Sequence, residues 1–81
     1  MKIQFSKTAQ KALEAMPSVI KQNIRERIYG LIKIPPEGDI QPIKGKPNLF
    51  RLRVGKNRVI YHYDNDILKI DEIGSRGDIY K

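Results

Sequence analysis

Alternation of apolar and polar side chains predicts four strands in this chain, at residues 2–5, 49–54, 58–63 and 67–73. The last three are separated only by residues 55–57 and 64–66, which contain Gly, Asn and Asp. Connections this short force neighbouring strands to pair antiparallel. The carboxyl-terminal half is therefore expected to form an antiparallel sheet.

Apolar residues at helical spacing predict two helices between the first strand and this sheet. Ser6 is a suitable N-cap for the first, and Pro17 ends it and begins the second. Residues 34–39 contain two prolines, so they are expected to form the loop that crosses to the sheet. The predicted core stripes are Ala9, Ala12, Leu13 and Met16 in the first helix, and Ile20, Ile24, Ile28 and Leu31 in the second.

These elements predict an α+β fold: an N-terminal short strand and helical hairpin packed on one face of an antiparallel β-sheet, as a single domain over residues 1–81. In the strand at 49–54, Leu52 points to the side opposite Arg51 and Arg53. Since the apolar side must meet the helices, both arginines are expected on the opposite face of the sheet, which the helices leave open.

The charge pattern identifies a partner for that open face. The chain carries a net charge of +7, and residues 40–63 hold six Lys or Arg and no Asp or Glu. Clustered cations on a rigid sheet attract a polyanion, because each neutralised phosphate releases counterions. Nucleic acid is the partner that this composition favours.

Other features of the composition exclude several classes of protein. There is no cysteine, so disulfides, Cys-based zinc sites and thiol nucleophiles are excluded. The amino terminus lacks the apolar run of a signal peptide, and no stretch has the length of a membrane span. We expect a cytoplasmic location and no membrane association.

The strand at 58–63 places Arg58, Ile60 and His62 on one side. If Arg58 joins Arg51 and Arg53, Ile60 lies on the cationic face, where an apolar residue needs the cover of a bound partner. We interpret His62 as structural.

No metal or other cofactor is expected. Asp64 and Asp66 flank a turn, and Asp71 and Glu72 are adjacent, so they are expected to point to opposite faces. None of these carboxylates has metal-ligand spacing with a histidine. The cations of the helices are interpreted as a solvated face: Lys7, Lys11, Lys21, Arg25 and Arg27.

The tail carries an arginine and a tyrosine, Arg76 and Tyr80, and tyrosine is suited to stacking on the bases of single-stranded RNA. With this tail, the chain resembles the RelE/ParE superfamily of type II toxin-antitoxin toxins, and more closely its RelE branch. The matching segments, in order, are KGKP at 44–47, FRLRV at 50–54, NRVIY at 57–61 and IGSRGDIY at 73–80.

The resemblance implies a ribosome-dependent endoribonuclease that cuts mRNA in the ribosomal A site. It gives Arg51 and Arg53 the place of the basic pair, Arg58 that of the transition-state arginine, Arg76 that of the second catalytic arginine and Tyr80 that of the carboxy-terminal tyrosine. The lysines assigned to RNA binding are Lys44, Lys46 and Lys56.

The implied reaction is attack of an RNA 2′-hydroxyl on the adjacent phosphate, without a metal. Arginine stabilises the phosphorane but cannot serve as the base, since it stays protonated. Many relatives have a histidine where this chain has Ser75. The base is therefore either Tyr80 or a group on the ribosome.

The resemblance also implies partners: a cognate antitoxin, with which the toxin forms a larger complex, together with the ribosome and mRNA. The isolated chain is expected to be a monomer. Two alternatives remain open: a ParE-like protein that binds DNA gyrase, and an RNA-binding module that has lost activity with the tail histidine.

Overall fold

The computed structural model describes residues 1–75, which form two helices, a 3₁₀ turn and five strands. The predicted strands and helices are all present, and the strand ends differ from prediction by at most two residues. The elements are β1 (Lys2–Phe5), α1 (Lys7–Glu14), α2 (Ser18–Tyr29), the 3₁₀ turn (Gly30–Ile32), β2 (Asp39–Pro42), β3 (Phe50–Val54), β4 (Asn57–Asp64) and β5 (Ile67–Ser75). None of the helices in this described part is long and apolar enough to cross a membrane.

The five strands form one sheet in the order β1-β5-β4-β3-β2. The pairs β3/β4 and β4/β5 are antiparallel, as their short turns require, and β2 pairs antiparallel with β3 after a longer loop. Strand β1 instead pairs parallel with β5, with Ile3 opposite Leu68. The α+β fold class is confirmed. The sheet is mixed and not purely antiparallel, because β1 and β5 run in the same direction.

Strand β2 was not predicted. The prolines of residues 34–39 indicated a loop, but strand pairing already begins at Asp39, opposite Arg53. Pro42 lies in this strand, which a sheet tolerates at its edge, where one side of the strand needs no donors. This edge strand brings Asp39 beside the arginines of β3.

The core lies between the helices and one face of the sheet. Ile24, Ile28 and Leu31 are buried as predicted, together with Leu52 of β3. The prediction for Ile20 was wrong: it is 40% exposed. The neighbouring Val19 is also exposed, so the first turn of α2 lies at the margin of the core.

Ser6 joins the first helix to the sheet. Its Oγ accepts a hydrogen bond from the backbone N–H of Ala9 at 3.0 Å, which confirms the predicted N-cap. The same hydroxyl donates to the backbone carbonyl of Asp71 in β5, at 2.7 Å. The Ser6 side chain thus caps the N-terminus of α1 and also connects it to β5 by a hydrogen bond.

We expect Ser6→Ala to lower the free energy of unfolding by about 1–2 kcal/mol, because both hydrogen bonds are lost. Chemical denaturation checks this. The matched control is Ser18→Ala: Ser18 opens α2, where the N-cap is Pro17 and no side chain caps the helix, so that change should cost far less. Equal losses in the two variants would contradict the role given to Ser6.

A β-bulge interrupts the pairing of β4 with β5. Ile60 lies opposite Glu72 and Tyr61 opposite Ile70, so Asp71 is an extra residue without a partner. The side chain of Asp71 reaches His62 on the same side of the sheet as Ile60. The expectation that Asp71 and Glu72 point to opposite faces was therefore wrong, because the bulge breaks the alternation.

Candidate nucleic-acid interface

Three arginines lie on the outer face of the sheet, which we define as the side turned away from the helices. Leu52 and Val59 point into the core, so their neighbours along the strands point outward. Arg53 lies directly opposite Arg58 across the β3/β4 pair, and Arg51 lies opposite Ile60. The expectation that Arg58 joins the other two arginines is confirmed.

Arg51 is not a free surface cation. Its side chain is only 10% exposed, and its Nη2 lies 3.5 Å from the Asp39 carboxylate. The other oxygen of Asp39 lies 3.9 Å from Nε of Arg53. Within residues 1–75, the buried Nε of Arg51 has no hydrogen-bond partner. The predicted basic pair is thus partly neutralised from within the chain.

Sequence reasoning missed Asp39, which stands immediately before the acid-free run. The pairing of β2 with β3 brings it to the arginines, since it lies opposite Arg53. A prediction of β2 as a strand paired with β3 would have found it. The signal was weak because Pro42 argues against a strand.

Arg51 and Arg58 line a cleft of about 280 Å³ beside the loop that follows β2. We call it the cationic cleft, and its lining residues are Gln41, Pro42, Ile43, Lys44, Arg51 and Arg58. Among the residues that the structure describes, no carboxylate lies within 4.0 Å of the charged groups of Lys44 or Arg58. Within residues 1–75, Lys44 and Arg58 therefore differ from Arg51, which has Asp39 as a counter-ion.

The other predicted site residues either do not line the cationic cleft or lie outside the described residues. Lys46 and Lys56 are exposed, in the loop before β3 and in the β3/β4 turn, and neither is among the residues lining the cleft. Arg76 and Tyr80 lie outside the described residues. Strand β5 ends at Ser75, opposite Asn57, so the described chain ends one position away from Arg58 along β4.

Ile60 corrects one expectation. It lies on the outer face as predicted, but it is only 3% exposed. Its partners in the neighbouring strands are Arg51 and Glu72, and long side chains of this kind cover apolar neighbours with their methylene groups. Ile60 needs no partner protein to cover it.

Beyond Ile60 on the outer face, His62 forms a close pair with Asp71. His62 Nδ1 lies 2.6 Å from Asp71 Oδ2, and both side chains are about one third exposed. Because Asp71 is also the bulge residue held by Ser6, the arrangement favours the structural interpretation of His62. No group of three His, Asp or Glu side chains within residues 1–75 is placed to hold a metal ion.

Two tyrosines of β4 are unsuited to act as the general base. Tyr61 and Tyr63 point into the core. The ring of Tyr61 stacks on Phe50, and the ring of Tyr63 meets both of them edge to face. Burial raises the pKa of both hydroxyls, and for Tyr61 the neighbouring Tyr63 adds to the effect. Tyr63 also donates a hydrogen bond to the carbonyl of Leu31. Both phenols therefore stay neutral near pH 7.

Two helices on one face of a five-stranded mixed sheet form an architecture that matches solved structures of RelE-like toxins. The RelB–RelE antitoxin–toxin complex of Methanococcus jannaschii matches with a TM-score of 0.75 and 28% identity, covering 90% of this chain and 89% of the matched chain. The archaeal RelE–RelB complex of Pyrococcus horikoshii OT3 matches with a TM-score of 0.73 and 27% identity, covering 95% and 96%. A YoeB/ParE toxin from Agrobacterium tumefaciens shares the fold at a TM-score of 0.81 and 16% identity, covering 94% and 99%.

The chain belongs to the family described as ParE toxin of type II toxin-antitoxin system, parDE, whose model matches residues 3–80. Among curated proteins, no sequence matches the chain. The resemblance to the RelE/ParE superfamily is confirmed, and the protein is a type II toxin-antitoxin toxin of that superfamily.

Proposed function

We propose that this toxin is a ribosome-dependent endoribonuclease that cleaves mRNA in the A site and so inhibits translation. The observation that carries the proposal is the position of Arg58. It lies directly opposite Arg53 and lines the cationic cleft with Arg51 and Lys44, and no carboxylate within residues 1–75 pairs with it. An unpaired guanidinium in a cleft of cations is suited to an RNA phosphate.

In this proposal the 2′-hydroxyl of one nucleotide attacks its own 3′-phosphate. The new O–P bond gives a cyclic phosphate, the P–O bond to the next nucleotide breaks, and the departing oxygen takes a proton from water to become a 5′-hydroxyl. Arg58 offers its planar donors to the phosphorane oxygens, where negative charge accumulates. The proton of the 2′-hydroxyl goes to Tyr80 or to a ribosomal group, with Arg76 as the second catalytic arginine; no metal or cofactor takes part.

The proposed partners follow from the family and from the charge. The Methanococcus and Pyrococcus structures are complexes of toxin and antitoxin. We therefore propose a cognate antitoxin for this chain, with acidic residues to neutralise the cationic cleft and its surroundings, including Lys46 and Lys56. The isolated toxin is proposed to be a monomer in the cytoplasm, and to bind the ribosome and mRNA when the antitoxin is absent.

The second candidate is ParE-like inhibition of DNA gyrase without RNA cleavage. The description of the matching family favours it, since that family carries the ParE name. Against it stands the position of Arg58, because a protein that only binds gyrase has no need of an arginine that lines a cationic cleft and has no acidic partner within residues 1–75.

Induced expression in a bacterium separates the two candidates. We would follow incorporation of a labelled amino acid together with plasmid supercoiling during the first minutes after induction. The proposal predicts that incorporation stops while supercoiling is unchanged. Loss of supercoiling before any fall in incorporation would support gyrase inhibition, and an absence of growth arrest would refute both.

A further inference from the structure

Asp39 holds the two arginines of β3 together. Its two carboxylate oxygens approach different side chains, Arg51 at 3.5 Å and Arg53 at 3.9 Å. Among the described residues, no other carboxylate lies within 4.0 Å of either guanidinium. Asp39 is therefore their shared counter-ion in this part of the chain.

Arg51 depends on this counter-ion because it is buried. A charged group with a side chain only 10% exposed loses most of its hydration, and one of its N–H groups, Nε, has no partner within residues 1–75. Asp39 restores part of the lost interaction, since its carboxylate lies 3.5 Å from Nη2. The side chain of Asp39 itself is 55% exposed, so solvent and ligands reach it.

Gly38, which precedes Asp39, fixes where the carboxylate enters the site. It has a φ of +132°, and a Cβ at this position would lie 2.7 Å from Cδ1 of Leu52. Only glycine adopts this backbone conformation without strain and lets β2 begin this close to the core. Asp39 thus follows a residue whose backbone conformation is constrained.

A carboxylate in this position has two opposing effects on an RNA phosphate. It repels the phosphate and offsets part of the positive charge of Arg51 and Arg53, which weakens binding. It also keeps both guanidinium groups in one geometry beside Arg58, which favours a transition state that needs fixed donors. Removing it should therefore move binding and catalysis in opposite directions.

We propose that Asp39 is a positioning residue that orients Arg51 and Arg53 for RNA cleavage and, at the same time, limits the affinity of the cationic cleft for RNA phosphate. The inference rests on the proposed endoribonuclease activity and deepens it. It assigns Arg58 and Lys44, which lack a counter-ion in the described residues, to the first contact with the RNA backbone. Arg51 and Arg53, which share Asp39, act beside them.

The test is Asp39→Asn in the full-length protein. Affinity for a fluorescein-labelled single-stranded RNA is measured by anisotropy, and kcat and KM of mRNA cleavage are measured on translating ribosomes. We expect RNA binding about threefold to tenfold tighter, since one repelling charge at several ångströms is removed. We expect kcat to fall about tenfold to a hundredfold, since the arginines are no longer fixed.

Two variants control this experiment. Asp66→Asn removes the same charge from the exposed β4/β5 turn, and should match the wild type in both measurements. Asp39→Glu keeps the carboxylate and should restore part of the wild-type kcat. Melting temperatures of all variants identify any loss of folded protein, and affinity and kcat are then expressed per folded molecule.

The outcomes are distinguishable. Tighter binding with slower cleavage in Asp39→Asn, but not in Asp66→Asn, supports the role of Asp39. Proportional losses of binding and cleavage would show a merely structural residue, and an unchanged RNA affinity relative to Asp66→Asn would also overturn the inference. Absence of cleavage by the wild-type protein would refute the endoribonuclease itself, while the anisotropy comparison would still decide whether Asp39 limits RNA affinity.

Discussion

Arg58→Ala is expected to slow mRNA cleavage on translating ribosomes by about 10² to 10³-fold, the usual cost of removing one fixed donor from a developing oxyanion. Arg58 is the arginine of the outer face that lines the cationic cleft and has no counter-ion within residues 1–75. Single-turnover cleavage with saturating toxin measures the chemical step. Binding of the ribosome should change much less, because the loss falls on the transition state.

Arg27→Ala is the matched control for this prediction. Arg27 is an exposed arginine of α2, on the helical side of the protein and away from the outer face of the sheet. The same loss of charge there should leave the rate of cleavage within about a factor of two of the wild type, since Arg27 does not line the cationic cleft and an exposed charge is screened by salt. Similar losses in the two variants would show that total charge, not the position of Arg58, determines activity.

Ile24→Ala is expected to lower the free energy of unfolding by about 2–5 kcal/mol, the largest stability effect predicted here. Ile24 is fully buried between α2 and the sheet, and truncation removes its transfer free energy and leaves a cavity. An 81-residue domain has little stability to lose, so much of the protein should unfold near its working temperature. Urea denaturation followed by circular dichroism gives the value.

Ile20→Ala provides the comparison within the same helix. The two isoleucines are one helical turn apart and were both predicted to lie in the core, yet Ile20 is 40% exposed. Its truncation should cost less than about 1 kcal/mol, since 40% of its surface already contacts water and no closed cavity is left. If Ile20→Ala proved as costly as Ile24→Ala, the first turn of α2 would have to pack against the core.

The contrast between these isoleucines shows what periodicity predicts and what it leaves open. Helical spacing identifies the stripe, and Ile24 and Ile28 are buried as expected. How far the stripe extends over the sheet depends on where the sheet ends beneath α2, which is a property of the tertiary structure. Ile20 and the neighbouring Val19 are both exposed, so both lie beyond that limit.

Strand β2 and the bulge at Asp71 escaped prediction for a related reason. The alternation of side chains placed Arg51, Arg53 and Arg58 on one face correctly, because strand geometry is local. Asp39 reaches two of them only through pairing between strands that are separate in the sequence. The bulge likewise depends on register across β4 and β5.

The consequence for the candidate site is a division among its cations. In the sequence, residues 40–63 hold six Lys or Arg and no Asp or Glu. In the structure Arg51 and Arg53 share the carboxylate of Asp39, whereas Arg58 and Lys44 lack one in the described part of the chain. The roles proposed for Arg76 and Tyr80, which lie outside that part, stay predictions.

The most direct test of the central claim is primer extension on a defined mRNA, carried by translating ribosomes or free in solution, after addition of the purified toxin. The proposed endoribonuclease activity predicts new 5′ ends within the A-site codon of ribosome-bound mRNA, strongly reduced with Arg58→Ala, and none on free mRNA. Intact mRNA on translating ribosomes, with the wild-type protein folded and present in excess, would contradict it.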